Sequence, residues 1–398
     1  MRPGGHARAR TIAAADHEMC LQVLLLEVST RSFRNLSEAR IELGRRTTVL
    51  FGPNGQGKTN FLEACHLLCT LRPLRAQKLA ELVRIGSGQS ALVRGRFELS
   101  GGLREVEVEV GREGRSARVD GKTVRDPDEL FGGLATVAFT PDDLAVVKGG
   151  PEGRRKLLDR AAQNRHPSHL ADSRDYLRAL RARNELLRQD APPDLLASFD
   201  EPLARLGANV RRRREEVLEE IRPHAQQAFA EVARGEAPLE LVYLAAGRDS
   251  DGLAGAGEAL AHRLLDALRR RLPRDRERGY TSVGPHADDL GLSLGERAAR
   301  LYASQGQSRA IVLAFKIGEI ENLKSVQGRA PLLLLDDVSS ELDPARNAFL
   351  MAYLAALDGQ VVLTTTDPKL VAKSAVREAI FQRVESGRIA PENVLFSE

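Results

Sequence analysis

The sequence predicts an α/β fold: a mixed sheet carries a phosphate-binding loop, antiparallel strands flank it, and a mainly helical lobe is inserted. Three observations predict this. A β-prone run at residues 47–51 leads into a glycine-rich loop and then into a helical pattern. A continuous apolar run at 332–335 ends in two aspartates, as expected for a parallel strand buried on both faces. Between them, residues 151–234 repeat leucines at helical spacing.

Composition indicates a chain of ordinary globular character. Its 398 residues are enough for two or three domains, and the net charge of +4 neither requires nor excludes a nucleic acid partner. The three cysteines give no disulfide framework, and Cys65 and Cys69 are interpreted as core residues rather than zinc ligands. No apolar run reaches membrane-spanning length, so a cytoplasmic protein without a membrane partner is predicted. Residues 1–20 are expected to be a disordered tail, or a mis-called start upstream of Met19.

The glycine-rich loop, FGPNGQGKTN at residues 51–60, fits the phosphate-binding pattern G-x-x-x-x-G-K-[ST]. Glycines let backbone N–H groups turn toward phosphate oxygens, and the following helix adds a positive N-terminus. Lys58 is expected to reach the β- and γ-phosphates and Thr59 to hold Mg²⁺. The alternative, a chance glycine-rich turn, is disfavoured by the strand–loop–helix context. The predicted ATP-binding residues here are Gly52, Pro53, Asn54, Gly55, Gln56, Gly57, Lys58, Thr59 and Asn60.

The acidic pair Asp336 and Asp337 follows the apolar run at 332–335. Ligands of α/β sheets bind at the carboxyl ends of the strands, so the pair is placed at the nucleotide. Asp336 is the predicted Mg²⁺ ligand, direct or in the second shell, and Asp337 is the predicted catalytic group that orients or deprotonates the attacking water. A purely structural account is poor because unpaired buried charge is costly. Downstream, Asp343 followed by Pro344 is typical of a helix start.

A third stretch, YASQGQSRA at residues 302–310, stands before a run with helical apolar spacing. Ser304 permits two interpretations. A serine oxygen satisfies free N–H groups of a first helical turn, so Ser304 can be a simple N-cap. Alternatively, its hydroxyl, the Gly306 N–H and the positive helix N-terminus together form an anion site.

The same stretch resembles the L-S-G-G-Q signature of ABC-type ATPases, with Ala303 at the leucine position and Gln305 at the first glycine. From about residue 21 onward the chain is similar to the RecF family, which is related to SMC proteins. The similar segments are LQVLLLEVSTRSFRNLSEARIEL at 21–43, AFTPDDLAVVKGGPEGRRKLLDR at 138–160 and TSVGPHADDL at 281–290.

The resemblance implies an ABC-type ATPase head whose site is completed by a homodimer in the presence of ATP. The signature residues Ser304, Gly306 and Gln307, and Asp343 as the D-loop aspartate, would then contact nucleotide held by the partner's phosphate-binding loop. Arg34 is expected near the nucleotide. The implied partners are DNA at gaps and single–double strand junctions, together with RecO and RecR, which help to load RecA.

The predicted organisation follows from the positions of these motifs. Residues 21–150 form the first part of the ATPase lobe, with antiparallel strands at 91–99, 104–110 and 115–119. Residues 151–237 form a helical lobe II, and 238–398 form the rest of the ATPase lobe. A transporter's nucleotide-binding subunit is excluded because the insertion between the loop and the signature is much too long. A zinc-hook ATPase is excluded because the helical part has no C-x-x-C motif.

Three departures from the ABC pattern predict slow hydrolysis. The usual catalytic glutamate position holds Asp337, one methylene shorter, a feature that RecF proteins share. The switch histidine is missing after the strand at 361–363, where Thr364, Thr365, Thr366 and Asp367 stand instead. The Q-loop position falls on Thr140, and Asp142 or Asp143 is an alternative for a water-mediated metal contact. The chain is therefore predicted to be a weak ATPase whose nucleotide mainly sets dimerisation; the alternative is an ATP-binding structural DNA clamp without meaningful hydrolysis.

Arginine clusters are the candidates for contacts to DNA. Each alone is typical of a solvated helix face, and Glu215, Glu216, Glu219 and Glu220 offer i,i+4 partners to the cluster at 211–214. Together the clusters allow a groove that grips phosphates without reading sequence. With 4% aromatic residues and no tryptophan, base stacking is a weak option. The clusters are Arg72, Arg75 and Lys78; Arg181, Arg183 and Arg188; Arg211, Arg212, Arg213 and Arg214; and Arg269, Arg270, Arg271, Arg274, Arg276 and Arg278.

Overall fold

The computed structural model describes residues 23–76, 78–99, 102–111, 114–125, 135–247, 257–372 and 379–392; the segment 1–20 lies outside these ranges. No helix within the ranges is long and apolar enough to cross a membrane. The strands are β1 (Leu24–Arg31), β2 (Ala39–Glu42), β3 (Thr47–Phe51), β4 (Ala91–Leu99), β5 (Gly102–Gly111), β6 (Gly114–Val119), β7 (Lys122–Val124), β8 (Thr136–Phe139), β9 (Leu239–Leu244), β10 (Asp289–Leu294), β11 (Arg297–Ala298), β12 (Leu332–Leu335), β13 (Val361–Thr365), β14 (Ala379–Glu385) and β15 (Arg388–Pro391). The helices are α1 (Lys58–Thr70), α2 (Pro141–Leu144), α3 (Pro151–Arg165), α4 (His169–Arg188), α5 (Pro193–Val232), α6 (Glu258–Arg278), α7 (Ala299–Tyr302), α8 (Gln305–Gln327), α9 (Val338–Glu341), α10 (Pro344–Ala356) and α11 (Lys369–Ala372), with a 3-10 helix at Leu79–Leu82.

The central sheet has the strand order β15-β14-β3-β13-β12-β8. All neighbours pair in parallel except β15, which returns antiparallel beside β14. The predicted strand at 332–335 is β12, and all four of its leucines are buried. Leu333 and Leu335 enter one hydrophobic cluster, whereas Leu332 and Leu334 enter the other, on the opposite face. The continuous apolar run is thus explained by burial on both faces.

A second sheet, with the order β2-β1-β4-β5-β6-β7, is antiparallel throughout. The three strands predicted at 91–99, 104–110 and 115–119 are its members β4, β5 and β6. Helix α1 touches both this sheet and the central one. Phe61, Leu62 and Leu68 of α1 are fully buried between them. The phosphate-binding loop therefore leads into a helix that is firmly packed between the two sheets.

The other face of the central sheet is covered by α8 and α5, which pack along each other. Most of α8 is buried, and this burial includes polar residues such as Lys316 and Glu319, which form an ion pair at 3.4 Å. A small sheet of β11-β10-β9 adjoins this layer. Because β10, β11 and α7 lead directly into α8, the signature stretch is held by the small sheet on one side and by the core on the other.

The helical lobe has a core of its own. Tyr176 of α4, Leu203 of α5, and Leu264 and Leu268 of α6 lie in one hydrophobic cluster with Val283. Helix α6 thus packs with α4 and α5, although it follows residue 237, the predicted end of lobe II. The predicted domain boundaries remain predictions; we propose that lobe II also includes α6.

Buried arginines hold this lobe together. Arg183 is fully buried and contacts Asp200 at 2.6 Å and Asp275 at 3.3 Å. Arg211 contacts Asp288 at 2.6 Å, and Arg214 contacts Asp159 at 2.8 Å. Buried charges are tolerated only when they are paired and hydrogen-bonded, so these arginines are structural residues. Two of the arginine clusters considered for DNA therefore contain residues that are not available for contacts to DNA.

Candidate nucleotide-binding site

The phosphate-binding loop lies between β3 and α1, where the sequence places it. Gly52 and Gly57 have φ angles of +149° and +118°, which L side chains rarely adopt. A Cβ on Gly52 would lie 2.3 Å from the Val384 carbonyl oxygen, and one on Gly57 would lie 2.9 Å from Leu36. Both positions require glycine for conformation and for space. Residues 52–57 form the loop, and Lys58, Thr59 and Asn60 open α1.

The loop is braced from outside by residues of two distant segments, of which the family resemblance placed only the first, with Asn35, near the nucleotide. Asn35 donates from Nδ2 to the Gly55 carbonyl at 3.2 Å and accepts from Asn60 Nδ2 at 2.7 Å. Gln56 accepts from the Ser386 N–H at 2.6 Å, in the turn between β14 and β15. This hairpin comes from the far end of the chain and thus contributes to the nucleotide site. No local sequence motif predicts this role of the hairpin; only the pairing of its strands in the sheet does.

Lys58 is buried, and its Nζ donates to the carbonyl oxygens of Gly52 at 2.7 Å and Pro53 at 2.9 Å. Burial lowers the pKa of this ammonium, and the nearby carboxylates of Asp337 and Asp336 oppose the shift. The cation is thus held within the loop that surrounds the phosphate position. This arrangement suits the predicted role of Lys58 at the β- and γ-phosphates.

Thr59 and Asp336 meet although they lie far apart in the sequence. Thr59 Oγ1 donates to Asp336 Oδ1 at 2.7 Å, and Asp336 is buried. A hydroxyl and a carboxylate oxygen in contact at the carboxyl ends of parallel strands form a donor set that suits Mg²⁺. The residues predicted for the metal therefore fit a single site.

Thr364 fixes the acidic pair. Its hydroxyl donates to Asp336 Oδ1 at 3.0 Å and accepts from the Asp337 N–H at 2.9 Å. Thr364 lies on β13, next to β12, so the parallel register places it opposite the acids. Within the stretch 364–367, where a switch histidine was expected, Thr364 thus orients both aspartates.

Asp337 has a left-handed backbone conformation, with a φ of +50°, at the start of α9. Its Oδ1 is buried and has no hydrogen-bond partner. Burial raises the pKa of this carboxyl, and Lys58 opposes the shift. Backbone strain and an unsatisfied carboxylate at one residue are typical of functional positions, because the fold alone gains nothing from either.

Arg75 is a cation at this site that sequence reasoning assigned only to a DNA cluster. Its Nη1 lies 3.7 Å from Asp336 Oδ2 and its Nε lies 3.4 Å from Asp142 Oδ2. Its loop is anchored because the backbone N–H groups of Arg75 and Ala76 donate to buried Glu63 at 3.1 Å. Arg34, predicted near the nucleotide, donates to the other oxygen of Glu63 at 2.9 Å. Arg34 thus reaches the site through α1 rather than by a direct contact with the loop.

The candidates for the Q-loop position lie at the start of α2. Thr140 caps this helix, and Asp143 Oδ2 accepts from the Thr140 N–H at 2.9 Å. Asp143 also pairs with Arg160 at 3.1 Å, so both of its oxygens are occupied. Asp142, by contrast, has an exposed side chain, whose ion pair with Arg75 is 3.4 Å long. Of the three, Asp142 has the carboxylate best able to receive a metal-bound water.

The signature stretch forms a complete helix cap. Ser304 Oγ accepts from the Gln307 N–H at 3.1 Å, and Gln307 Oε1 accepts from the Ser304 N–H at 2.7 Å. This reciprocal pair is a capping box at the start of α8. Ser304 and Gln305 are nevertheless exposed, and so are the preceding Leu301 and Tyr302, at 71% and 67%. The capping interpretation is correct, and the stretch also presents an exposed helix N-terminus.

Asp343 caps α10 by accepting from the N–H groups of Ala345 and Arg346 at 3.1 Å. The Arg346 guanidinium also pairs with the Asp343 carboxylate and lies over Gly306. A second pair, Arg309–Glu341 at 2.9 Å, joins α8 to α9. The predicted signature and D-loop residues therefore form one connected group.

We expect Gly306→Ala to push the Arg346 guanidinium away from Asp343. The added Cβ would lie 2.9 Å from Arg346 Nη1, the end of a flexible side chain, so the expected cost in unfolding free energy is below about 1 kcal/mol. A double-mutant cycle in urea with Arg346→Ala measures the coupling. In the Arg346→Ala background the new methyl group meets no guanidinium and should cost less, or stabilise the helix. Equal costs in the two backgrounds would contradict this account.

The predicted site residues thus fall into two groups. Lys58, Thr59, Asp336 and Asp337 surround the phosphate position, whereas Ser304, Gly306, Gln307 and Asp343 lie together elsewhere. Within the described ranges, no hydrogen bond or ion pair joins residues 304–307 to residues 52–59 or to the acidic pair. The link between the two groups is indirect, because the Arg309–Glu341 pair joins α8 to α9, and α9 begins directly after Asp337.

Comparison with known proteins agrees with this geometry. The chain matches the family described as "RecF/RecN/SMC N terminal domain" over residues 24–387. The DNA replication and repair protein RecF of Anaeromyxobacter sp. (strain K) is 54% identical over 371 residues, which cover 92% of this chain and 99% of that protein. The RecF of Myxococcus xanthus (strain DK1622) is 52% identical over 368 residues, which cover 92% and 97%.

Solved structures share the fold. The structure of "the recombination mediator protein RecF-ATPrS in RecFOR pathway" aligns with a TM-score of 0.83 at 30% identity, covering 93% of this chain and 98% of that chain. The corresponding RecF-ATP structure aligns with a TM-score of 0.81 at 30% identity, covering 94% and 100%. An SMC head bound to the C-winged helix domain of ScpA aligns with a TM-score of 0.52 at 16% identity over 93% and 98%, a likeness of fold alone. The ABC-type fold class is confirmed, and the chain belongs to the RecF family of DNA replication and repair proteins.

Proposed function

We propose that this protein is a slow, ATP-dependent dimer that binds DNA in replication and recombinational repair. The separation of the site into two groups carries the proposal. One group holds the phosphate position, and the other presents an exposed helix N-terminus with Ser304 and Gly306. A second copy can supply the missing signature to the first copy's nucleotide, and the reverse holds by symmetry. ATP then acts as the link between the two copies.

Each residue of the first group has a role in this scheme. Thr59 and Asp336, in contact at 2.7 Å, would hold Mg²⁺, which when bound neutralises charge on the phosphate oxygens. Lys58 binds the β- and γ-phosphates by exchanging its loop carbonyl partners for phosphate oxygens. Asp337, with an unsatisfied oxygen, accepts the proton of the attacking water. One methylene fewer than glutamate gives it a shorter reach, which supports slow turnover.

Exposed apolar residues support the dimer. Leu301 and Tyr302 stand directly before the signature and are among the most exposed large hydrophobic residues of the described chain. Hydrophobic side chains exposed beside a polar functional group are typical of protein interfaces. In the proposed dimer these residues lie at the rim of the contact made by Ser304.

The biological setting rests on family membership. Relatives are named as DNA replication and repair proteins, and two solved ones as recombination mediators of the RecFOR pathway. We propose that this chain likewise acts in the cytoplasm with RecO and RecR at DNA gaps and single–double strand junctions, where it helps to load RecA. A structural clamp that binds ATP without meaningful hydrolysis is the alternative, and the absence of a histidine from residues 364–367 fits both hypotheses.

Wild-type protein should sediment as a monomer alone and as a dimer with ATP and Mg²⁺. Lys58→Arg is expected to keep much of the ATP binding, because the charge stays, but to lose about 100-fold or more in turnover, because the planar group cannot keep the lysine's position. Sedimentation velocity measures dimerisation, a fluorescent ATP analogue measures binding, and phosphate release measures turnover. A wild-type protein that stays monomeric with saturating ATP would overturn the proposal. Dimerisation without phosphate release would favour the clamp.

A further inference from the structure

Four of the arginines that were considered for DNA are used inside the protein. Arg183, Arg211 and Arg214 are buried in ion pairs, and Arg213, whose side chain is mostly buried, contacts Asp172 at 2.8 Å. These four side chains cannot grip DNA without breaking internal contacts. Contacts to DNA are therefore sought among the exposed arginines of the lobe.

Helix α4 carries an arginine stripe on its exposed side, formed by Arg174, Arg178, Arg181 and Arg188. The spacings of four, three and seven residues place the four side chains on one face of the helix. Their side chains are exposed, at 65% for Arg174, 69% for Arg178 and 56% for Arg188. The opposite face of α4 is buried and includes Tyr176, Leu180 and Leu187. The helix is therefore amphipathic, with arginine on its outer side.

The acidic residues near the stripe neutralise it only in part. Asp175 is shared between Arg174 at 3.6 Å and Arg178 at 3.4 Å, and Glu185 pairs with Arg188. Arg181, in the middle, has no hydrogen bond or ion pair among the described residues. Exposed pairs of this kind contribute little free energy and exchange readily for another anion. The stripe keeps a net positive charge that its own helix does not cancel.

At its N-terminal end the stripe continues into the ATPase lobe. Arg72, which follows α1, is half-buried and donates to Gln163 at 2.8 Å. Burial first, and then the nearby guanidinium of Arg115, lowers the pKa of Arg72 to about 10; Asp159 opposes the shift and Arg174 adds to it. Arg115, which donates to the Leu71 carbonyl, and Arg174 thus lie close enough to Arg72 to repel its charge. An anion held between them would relieve that repulsion.

At its C-terminal end the stripe reaches the end of α6. The Arg188 side chain lies against Gly279, which follows α6 directly. Arg278, in the last turn of α6, donates to the Tyr280 hydroxyl at 3.4 Å. The basic surface therefore runs from the nucleotide-binding lobe along α4 to the far end of the helical lobe.

We propose that the arginine stripe of α4 is a docking surface for the phosphate backbone of duplex DNA, a proposal that rests on the proposed function. The span from Arg174 to Arg188 is 14 residues, or about 21 Å at the helical rise, which matches about 6 base pairs of duplex. Leu177 is the only large hydrophobic residue of α4 that is strongly exposed, and a protein partner would need an apolar core. The aromatic ring of α4, Tyr176, is buried, and the exposed Tyr280 lies only at the C-terminal end of the basic surface. The stripe itself therefore has no row of aromatic rings on which the bases of a single strand could stack.

The test compares two triple variants with the same charge change. One variant replaces three of the four stripe arginines by glutamine, with Arg174→Gln, Arg178→Gln and Arg181→Gln. The other replaces three exposed arginines of α6 by glutamine, with Arg269→Gln, Arg271→Gln and Arg274→Gln. Fluorescence anisotropy with a labelled duplex is recorded from about 50 to 200 mM salt, with ATP and Mg²⁺ present. Loss of about 0.9 in the slope of log affinity against log salt is expected for each phosphate contact removed. The α4 variant should thus lose about 2 to 3 in slope and at least about tenfold in affinity, and the α6 variant less than 1 in slope.

The outcomes separate this proposal from the function on which it rests. If wild-type protein binds no duplex with ATP, the proposed function fails and the surface with it. If wild-type protein binds and the α4 variant keeps the slope, only the surface is wrong, and the stripe serves another anionic partner. Equal losses in both variants would indicate a general charge effect and would also overturn it. Binding of a fluorescent ATP analogue and the unfolding midpoint, both expected to be unchanged, verify that the variants are folded.

Discussion

Ser304→Arg protein is expected to remain monomeric at ATP concentrations that convert wild-type protein fully to a dimer. The arginine side chain cannot fit between the N-terminus of α8 and a phosphate, and it no longer accepts the Gln307 N–H at 3.1 Å. Lys58, Thr59 and Asp336 belong to the other group of site residues, so ATP binding by the single chain should persist. We expect the dimerisation constant to fall by about 100-fold or more, on the scale of several kcal/mol for a blocked charged contact. Sedimentation velocity with and without ATP measures it.

Ser304→Ala is the matched control for the capping role. It removes the same hydroxyl and the same capping bond, at a cost of about 1 kcal/mol of stability, but adds no bulk. Both variants should lower the unfolding midpoint. Ser304→Ala also loses the hydroxyl that the proposed dimer uses at the phosphate, so its dimerisation should weaken, and only Ser304→Arg should abolish dimerisation. If Ser304→Arg dimerises as wild-type protein does, the stretch is only a helix cap, and the proposed dimer mechanism fails at its central step.

Local patterns in the sequence were enough to predict the elements that carry the nucleotide. The apolar run at 332–335 coincides with β12, and the loop at 51–60 leads from β3 into α1. The cap at Ser304 follows from the serine and the glutamine three residues later. These features depend on neighbours within a few residues, so a pattern can identify them.

Contacts between distant residues could not be predicted in this way. Arg183 and Arg214 stand in arginine-rich stretches, and their carboxylate partners Asp275 and Asp159 are 92 and 55 residues away. The pairing of the cluster at 211–214 with following glutamates is confirmed for Arg212 and Glu216. Arg211, however, pairs with Asp288. An arginine's exposure depends on the fold, so composition alone could not separate structural arginines from those free to bind DNA.

The candidate site shows the same limit. Arg75 lies beside Asp336 because Glu63 anchors its loop, and Arg346 covers Gly306 because α10 packs beside α8. Neither arginine belongs to a sequence motif from which its position at the site could be predicted. The switch histidine was recognised as missing from residues 364–367, but the bonds of Thr364 to both aspartates depend on the strand order β13-β12. Sequence motifs thus located the residues predicted to bind the nucleotide and the metal, and the structure added the residues that position them.

Asp337→Asn is expected to lower ATP turnover and, at the same time, to stabilise the nucleotide-free protein. Removing a general base typically costs about 10² to 10⁴ in rate, so a loss of at least about 100-fold in phosphate release is expected. ATP binding and ATP-dependent dimerisation should persist, since Lys58, Thr59 and Asp336 remain. Asp337→Glu is the matched control because it keeps the carboxylate and lengthens its reach. It should turn over at least as fast as wild-type protein.

The stability effect follows from the direction of the pKa shift. Burial raises the pKa of Asp337 in the folded protein, so the charged form is disfavoured there. The stabilisation that follows from the raised pKa of Asp337 is fully present below the pKa of the unfolded chain, about 3.9. It is lost as the pH rises through the pKa that Asp337 has in the folded protein. Asparagine carries no charge, so the variant avoids this loss at pH 7. We expect its unfolding midpoint to exceed that of wild-type protein by about 1 to 3 °C at pH 7, and the difference to shrink toward pH 4.

Only a functional acid predicts both results together. Asp337 Oδ1 is buried without a hydrogen-bond partner, and the residue has a left-handed backbone conformation. The Ser340 hydroxyl lowers the pKa of the carboxyl only in part, because burial still raises it. Removal of the carboxylate should therefore relieve a cost that the fold tolerates for the sake of hydrolysis. Normal turnover in Asp337→Asn would show that another group activates the water. An unfolding midpoint lowered at pH 7 would show that the carboxylate stabilises the folded chain, and the strained position would then need a structural explanation.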